Sequence, residues 1–343
     1  MIGYAELAAA TNFSFLRGAS AAEDMVATAM ALGHGGIGIA DRNTVAGVVR
    51  AHVALRQARE DAAEAGYPVP DFRLVVGARL AFADGTPDML AYPTTRRGWG
   101  RLTRLLTTGN LRAQKGDCIL HVEDLVRFHE DLLLILIPPV ADELLHDLSA
   151  TFSGRLWLGA TMLRNGRDAR RLAMLGEQAE RAGVPLIALN DALYATPQAR
   201  PLHDILTAIR LKTTVQAAGR KLAVNAERHL KSPEEMARLF AAAPQALAAI
   251  PEFFDRIAFT LDDLKYEYPH EPVPPGYTPQ GWLTDLVWTR VKERWPDGVP
   301  AKLEALLHEE LAIIEAARYA PYFLTVHDIV AFARSRGILC QGR

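Results

Sequence analysis

The feature that most constrains this chain is an alternation. Along its first two thirds, short apolar runs recur, and stretches with helical spacing separate them. Strands are predicted at residues 37–40, 74–80, 89–92, 132–137, 156–158 and 185–189, with a weaker one at 6–11. Ser20-Ala21-Ala22-Glu23 has the spacing of a capping box, so a helix is predicted from there to about Gly33. Further helices are predicted near 43–66, 98–113, 140–150 and 167–183. Strand–helix alternation implies parallel strands joined by crossover helices. About seven such units favour a closed (β/α) barrel over an open sheet, with any chemistry on loops at the C-terminal strand ends.

After Tyr194 the strand signal stops. Residues 198–255 read as helical, with a second capping box at Ser232-Pro233-Glu234-Glu235. Five prolines then fall within 266–279, which neither a helix nor a central strand tolerates. The expected organisation is a barrel with a helical extension over 1–268, a proline-rich linker over 269–279, and a mainly helical segment over 280–343. Helices are predicted there at 282–294, 301–317 and 325–335. In Gly337-Ile338-Leu339-Cys340-Gln341-Gly342-Arg343, Ile338 to Cys340 looks like the entry to a strand and Gly342-Arg343 like the start of a glycine loop. A segment that stops there is expected to be incomplete, with too few residues to close a core.

Composition removes several function classes. The 343 residues carry a formal net charge of -2, so no global basic field draws the chain to nucleic acid. Cys118 and Cys340 are the only cysteines and form no CxxC, which excludes a disulfide framework and a cysteine zinc site. The longest apolar run, Leu132 to Ile137, is far short of the ~20 residues of a membrane helix. A reducing, cytoplasmic setting without a membrane is the default.

Metal-assisted hydrolysis needs several His, Asp or Glu side chains converging on one point. The predicted strand ends offer Ala8-Ala9-Ala10-Thr11, Ala40-Asp41-Arg42-Asn43, Val76-Gly77-Ala78-Arg79 and Leu189-Asn190-Asp191-Ala192-Leu193. Only Asp41 and Asp191 could ligate a metal there, and both also suit caps or turns. His146-Asp147, His203-Asp204 and His327-Asp328 are adjacent pairs, and neighbours on a helix do not face each other. Cys118 reads as a packing residue. GxSxG, P-loop and GxGxxG patterns are absent. Two stretches are locally basic. Arg97, Arg101 and Arg104 fall at i, i+4 and i+7, on one helical face that either contacts phosphates or is simply solvated. Residues 200–231 hold seven basic residues against Asp204 and Glu227.

Three motifs carry a family resemblance. Asn12-Phe13-Ser14-Phe15-Leu16-Arg17-Gly18-Ala19-Ser20, Ala40-Asp41-Arg42-Asn43 and Asn190-Asp191-Ala192-Leu193-Tyr194 resemble the PHP (polymerase and histidinol phosphatase) domain at the head of bacterial C-family DNA polymerases. Tyr319-Ala320-Pro321-Tyr322-Phe323-Leu324-Thr325-Val326-His327-Asp328-Ile329-Val330, the run from Gly337 to Arg343 and Ser232-Pro233-Glu234-Glu235-Met236 are similar to the same enzymes on the way into their palm. The first motif looks most like the error-prone branch that serves damage-induced mutagenesis.

The resemblance implies a PHP-type barrel followed by the incomplete N-terminal part of a palm. It also implies that the metal centre is lost. Metal-binding members carry His-x-His where this chain has Ala8 and Ala10, an acid at Arg17, a His at Arg42, a Glu at Arg79 and a His at Leu193. Of the matched positions only Asp41 and Asp191 keep a ligand. No cofactor or metal is then expected here, and no proofreading nuclease, whereas a full polymerase would use Mg²⁺ with carboxylates beyond Arg343. Gly342 and Arg343 would begin its triphosphate-binding loop. DNA and deoxynucleoside triphosphates would be partners of the parent protein, together with other mutagenesis or replication subunits. On this reading the chain does not polymerise alone and has a structural or partner-binding role. The alternatives are a metal-dependent PHP phosphoesterase using Asp41 and Asp191, or a 3'-5' exonuclease. Arg17, Arg42 and Arg79 are expected at one mouth, where they could replace the lost cations by pairing with Asp41 or Asp191, point into solvent, or hold a phosphate or sulfate.

Overall fold

A computed structural model describes residues 3–264, 268 and 273–340. The chain divides into two compact units, Met1–Leu264 and Lys265–Arg343.

The first unit is built on one seven-stranded sheet: β1 Ala5–Ala9, β2 Gly36–Arg42, β3 Arg73–Leu80, β4 Met89–Pro93, β5 Leu132–Leu136, β6 Leu156–Thr161 and β7 Leu186–Leu189. The strands lie side by side in chain order. Each of the seven runs expected to be a strand in this unit is one. β5, Leu-Leu-Leu-Ile-Leu, is buried throughout, as a strand covered on both faces must be. Helices α1 Ala22–Ala31, α2 Val48–Glu64, α3 Arg96–Arg112, α4 Val122–Phe128, α5 Asp142–Thr151 and α6 Asp168–Ala182 join the strands. Beyond β7 come α7 Arg200–Arg210, α8 Val215–Ala218, α9 Pro233–Leu239 and α10 Pro244–Asp255.

The sheet is not uniformly parallel. β4 runs antiparallel to both β3 and β5. Only residues 81–88 separate β3 from β4, too few for a crossover helix, so the chain must turn straight back. Two local expectations also change. The Ser20 hydroxyl does not cap α1, whose N-cap is Ala21, because it accepts a hydrogen bond from the Ala195 amide at 2.9 Å. The stretch 219–231 is mostly irregular, and His229 forms a single bridge with Tyr194. Ser232 does cap α9, accepting from the Glu235 amide at 3.3 Å.

Side chains fill the barrel. The Tyr92 ring occupies its interior and donates its hydroxyl to the Leu7 carbonyl. Gly38 makes room for it, since a Cβ there would lie 2.5 Å from the phenol oxygen. Phe253 of α10 packs edge-on against Tyr92 and Trp157, at centroid distances of 5.7 and 4.9 Å. β1 and β7 share no ladder. A carboxylate joins them instead. Glu6, fully buried, accepts from the Asn190 and Asp191 amides at 2.8 and 3.1 Å, from Ala8 N at 2.8 Å and from the Tyr4 hydroxyl at 2.7 Å. One backbone bond, Ala10 N to Ala192 O at 2.9 Å, completes the seam.

The second unit contains α11 Pro279–Arg294, α12 Ala301–Ala316 and α13 Ala320–Ser335. Thr278 caps α11 by accepting from the Gly281 amide at 3.1 Å. Leu283, Leu311, Ala320 and Leu324 form its small core. Ile338 to Cys340 are not a strand. Residues 269–272 of the expected linker lie outside the described residues, as do Gly342 and Arg343. Among the described residues no helix is long and apolar enough to cross a membrane.

Candidate functional site

Parallel strands bring their C-terminal ends to one mouth, and the residues singled out at those ends gather there. β1 leads through Ala8 and Ala10 into a loop carrying Ser14 and Arg17. β2 ends in Asp41 and Arg42, β3 carries Arg79 near its end, and Asp191 and Leu193 follow β7. Arg42 and Arg79 are register partners on adjacent strands, so two guanidinium groups leave the sheet side by side. Because β4 is antiparallel, its N-terminal end also reaches this mouth and delivers Asp88. The Asp88 carboxylate lies 3.1 Å from Arg42 Nη1 and 3.9 Å from Arg79 Nη1.

The two carboxylates at matched ligand positions are held by opposite means. Asp41 is buried and faces no cation within ion-pair distance among the described residues. It accepts from the Thr11 amide at 2.7 Å, the Thr11 hydroxyl at 2.8 Å and the Ser14 hydroxyl at 2.6 Å. Burial raises its carboxyl above the usual range, although these hydrogen bonds pull the other way. Gly47 closes in behind it, where a Cβ would lie 2.5 Å from Asp41 Oδ2 and 2.7 Å from Thr11 Oγ1. Asp191, in the left-handed region at φ 53°, takes Arg79 on one oxygen and Arg228 on the other. Burial alone would raise its carboxyl, but Arg228 and Arg79 more than offset that and hold it low. The second oxygen partner, Arg228, sits in the irregular 219–231 stretch, and its Nε also donates to the Asp191 carbonyl at 2.9 Å.

Arg17 has no carboxylate partner among the described residues. Burial, then the neighbouring Arg42 and Arg210, bring its guanidinium down to about 10, so it stays charged at neutral pH. α7 supplies the far wall: His203, Thr207 and Arg210, at i, i+4 and i+7, line the cavity. His203 is buried and pulled down to about 4 by burial and then by Arg228, hence neutral. The cavity measures about 290 Å³.

This donor set does not fit a metal centre. Ala8, Ala10 and Leu193 have hydrocarbon side chains, cations stand at 17, 42 and 79, and each carboxylate oxygen of Asp191 is engaged by a guanidinium group. No cluster of three or more His, Cys, Asp or Glu side chains suited to a metal occurs among the described residues.

Arg97, Arg101 and Arg104 lie on α3, as spaced, but they are not equivalent. Arg97 and Arg104 are exposed, whereas Arg101 is engaged by the Glu130 and Asp131 carboxylates before β5. Arg101 is therefore not free to meet a phosphate. The pair His203–Asp204 is no dyad: Nδ1 and the carboxylate are 3.9 Å apart, and Asp204 is bound by Arg200 at 2.7 Å.

Residues 281–343 match the family model described as the bacterial DNA polymerase III alpha NTPase domain. The chain is 53% identical over 346 residues to an error-prone DNA polymerase of Rhodopseudomonas palustris, covering 99% of this chain and 30% of that protein. It is 50% identical over 350 residues to one from Brucella abortus, covering 100% of this chain and 32% of that protein. Among solved structures, an amidohydrolase from Chromobacterium violaceum with bound sulfate and no metal superposes loosely, at a TM-score of 0.36 and 15% identity, over 56% of this chain and 88% of that one. The chain thus spans about a third of the length of the curated relatives it matches.

Proposed function

We propose, starting from a relationship to bacterial error-prone DNA polymerases that runs the whole length of this chain, that these residues are a non-catalytic portion of such an enzyme. The first unit is its PHP-type barrel, free of metal, and the second is the start of its palm. The parent protein would take DNA and deoxynucleoside triphosphates with Mg²⁺ in translesion synthesis in the cytoplasm, and the barrel would serve structure and the docking of other subunits.

One observation carries this reading: about 50% identity sustained over 99–100% of the chain, against relatives that share one printed name. The mouth supports the non-catalytic part, since Asp191 is neutralised by two guanidinium groups and Asp41 is enclosed by uncharged donors. A phosphoesterase or exonuclease would need at least one of them free to bind a metal.

Primer extension tests the proposal. The full gene product should extend a primed template with Mg²⁺, and the 343-residue chain should not. Zinc or manganese in stoichiometric amount, in chain purified without chelator, would overturn the metal-free assignment.

A further inference from the structure

α7 packs on the barrel through its polar side. His203, Thr207 and Ala208 are buried, whereas Leu202, Ile205 and Ile209, at i, i+3 and i+7, run along the other side of the helix and are 48%, 48% and 54% exposed. A surface helix ordinarily turns its apolar stripe to the core, and α7 does the reverse. One exposed leucine means little, but three branched aliphatic side chains aligned over two turns mark an interaction surface. The helix is held in this orientation at both ends. Arg200 pairs with Asp204 at 2.7 Å and donates to the Ala223 and Asn225 carbonyls, and Arg210 donates to the Leu16 carbonyl at 3.2 Å.

A second observation concerns the rim. Of the basic residues in 200–231, Arg200, Arg228 and Lys231 are engaged by Asp204, Asp191 and Glu227. Lys212 just beyond α7, and Arg220 and Lys221 on the segment that returns beside it, are exposed and meet no carboxylate among the described residues. Val224, which follows them, is exposed next to the start of α7, because Arg200 holds the carbonyls on either side of it. Both acids of this stretch, Asp204 and Glu227, are already occupied by cations. The apolar stripe is therefore bordered by free positive charge with no free negative charge.

We propose that this face of α7 docks an amphipathic helix of a partner protein. Apolar side chains of that helix would cover Leu202, Ile205 and Ile209, and its flanking Asp and Glu side chains would meet Lys212, Arg220 and Lys221. The proposal rests on the docking role given above to the barrel and specifies where docking occurs and with what chemistry. From Leu202 to Ile209 the helix rises about 10 Å, so about two turns of a partner helix cover the stripe. A lipid surface fits less well, since the stripe has no aromatic residue and its helix is already fixed by its polar side.

Photo-crosslinking tests this, with p-benzoylphenylalanine in place of Ile205 in the full gene product, made in its own cells, and sequencing of the captured peptide. Crosslinks are expected on a segment of another protein that has helical apolar spacing and acidic flanks. A synthetic peptide of that segment should bind the chain one-to-one. Ile205→Asp should weaken this binding about tenfold or more, as the loss of a central apolar anchor does. Lys212→Glu together with Arg220→Glu should weaken it severalfold and flatten its salt dependence. Val53→Asp, an exposed apolar position on α2, is the control and should change nothing, and all three proteins should melt as the parent does. Crosslinks to a second copy, to later residues of the same polypeptide or to lipid overturn the proposal, and so does the absence of crosslinks. Peptide binding that survives both α7 variants overturns it as well. Primer extension by Ile205→Asp should equal that of the parent, so the docking surface and the polymerase assignment fail separately.

Discussion

Arg79 donates to Asp191 across the barrel mouth, joining the end of β3 to the loop after β7. β3 and β7 are not neighbours in the sheet, so this contact spans the opening between them. With Arg228 on the other carboxylate oxygen, it makes Asp191 the electrostatic centre of the mouth.

Replacing Asp191 by Asn leaves two guanidinium groups without their counter-charge. The expected cost is about 3 kcal/mol, at the low end for a buried pair because Arg228 is partly exposed. The sign with pH follows from the lowered carboxyl: its contribution is present above the ordinary carboxylate value and is lost as pH falls below it. Urea melts from pH 3 to pH 7 should show a shallower acid limb in Asp191→Asn than in the parent.

Asp41 behaves in the opposite sense. Its carboxyl is raised, so the favourable contribution belongs to the protonated form and is lost as pH rises through the raised value. Asp41→Asn stays neutral throughout, and its amide can donate to the Thr11 hydroxyl, which can turn to accept. The variant should lose less than about 1 kcal/mol, and its melting temperature relative to the parent should climb from pH 4 to pH 7.

Gly47 leaves no room for a side chain beside Asp41, since a Cβ there would lie 2.5 Å from Asp41 Oδ2. Gly47→Ala pushes a methyl group against a carboxylate fixed by three hydrogen bonds, and neither can move easily. A loss of about 1–3 kcal/mol is expected from such overpacking. Gly100→Ala, which meets nothing within 4 Å, is the control and should not destabilise.

On α3, if the proposed function holds, charge reversal at Arg97 and Arg104 should weaken primer-template binding by the full gene product. If both contact phosphates, the salt slope falls by roughly 0.9 for each. Arg101→Glu should instead destabilise the fold, because it faces Glu130 and Asp131. A slope unchanged by the Arg97 and Arg104 reversals would mark a solvated helix face.

The strands were legible because most centre on a short apolar run, Leu132–Leu136 being wholly apolar, and the mouth because parallel strands align their C-terminal ends. Glu6 was harder to place: a charge within a run weakens the strand signal, and only the closed sheet reveals that it replaces a ladder. Asp88 depends on β4 running backwards, which the short 81–88 connection hints at. Arg228 was visible only as one of several basic residues in an irregular stretch. His203, Thr207 and Arg210 did share a helical spacing, but which face of α7 turned inward depended on the chain folding back over the barrel.

The seam at Glu6 gives this barrel a particular vulnerability. A ladder closes a sheet through many bonds that fail one at a time, whereas here one carboxylate and one backbone bond hold the seam. When it opens, the unladdered edges of β1 and β7 part, and the strands they expose, Ala5–Ala9 and Leu186–Leu189, are buried at rest and apolar but for Glu6. Such edges are templates for a strand from another molecule. Solubility in this protein therefore hangs on a clasp rather than a weave, and conditions that loosen Glu6 should favour strand exchange between chains before the helices unfold.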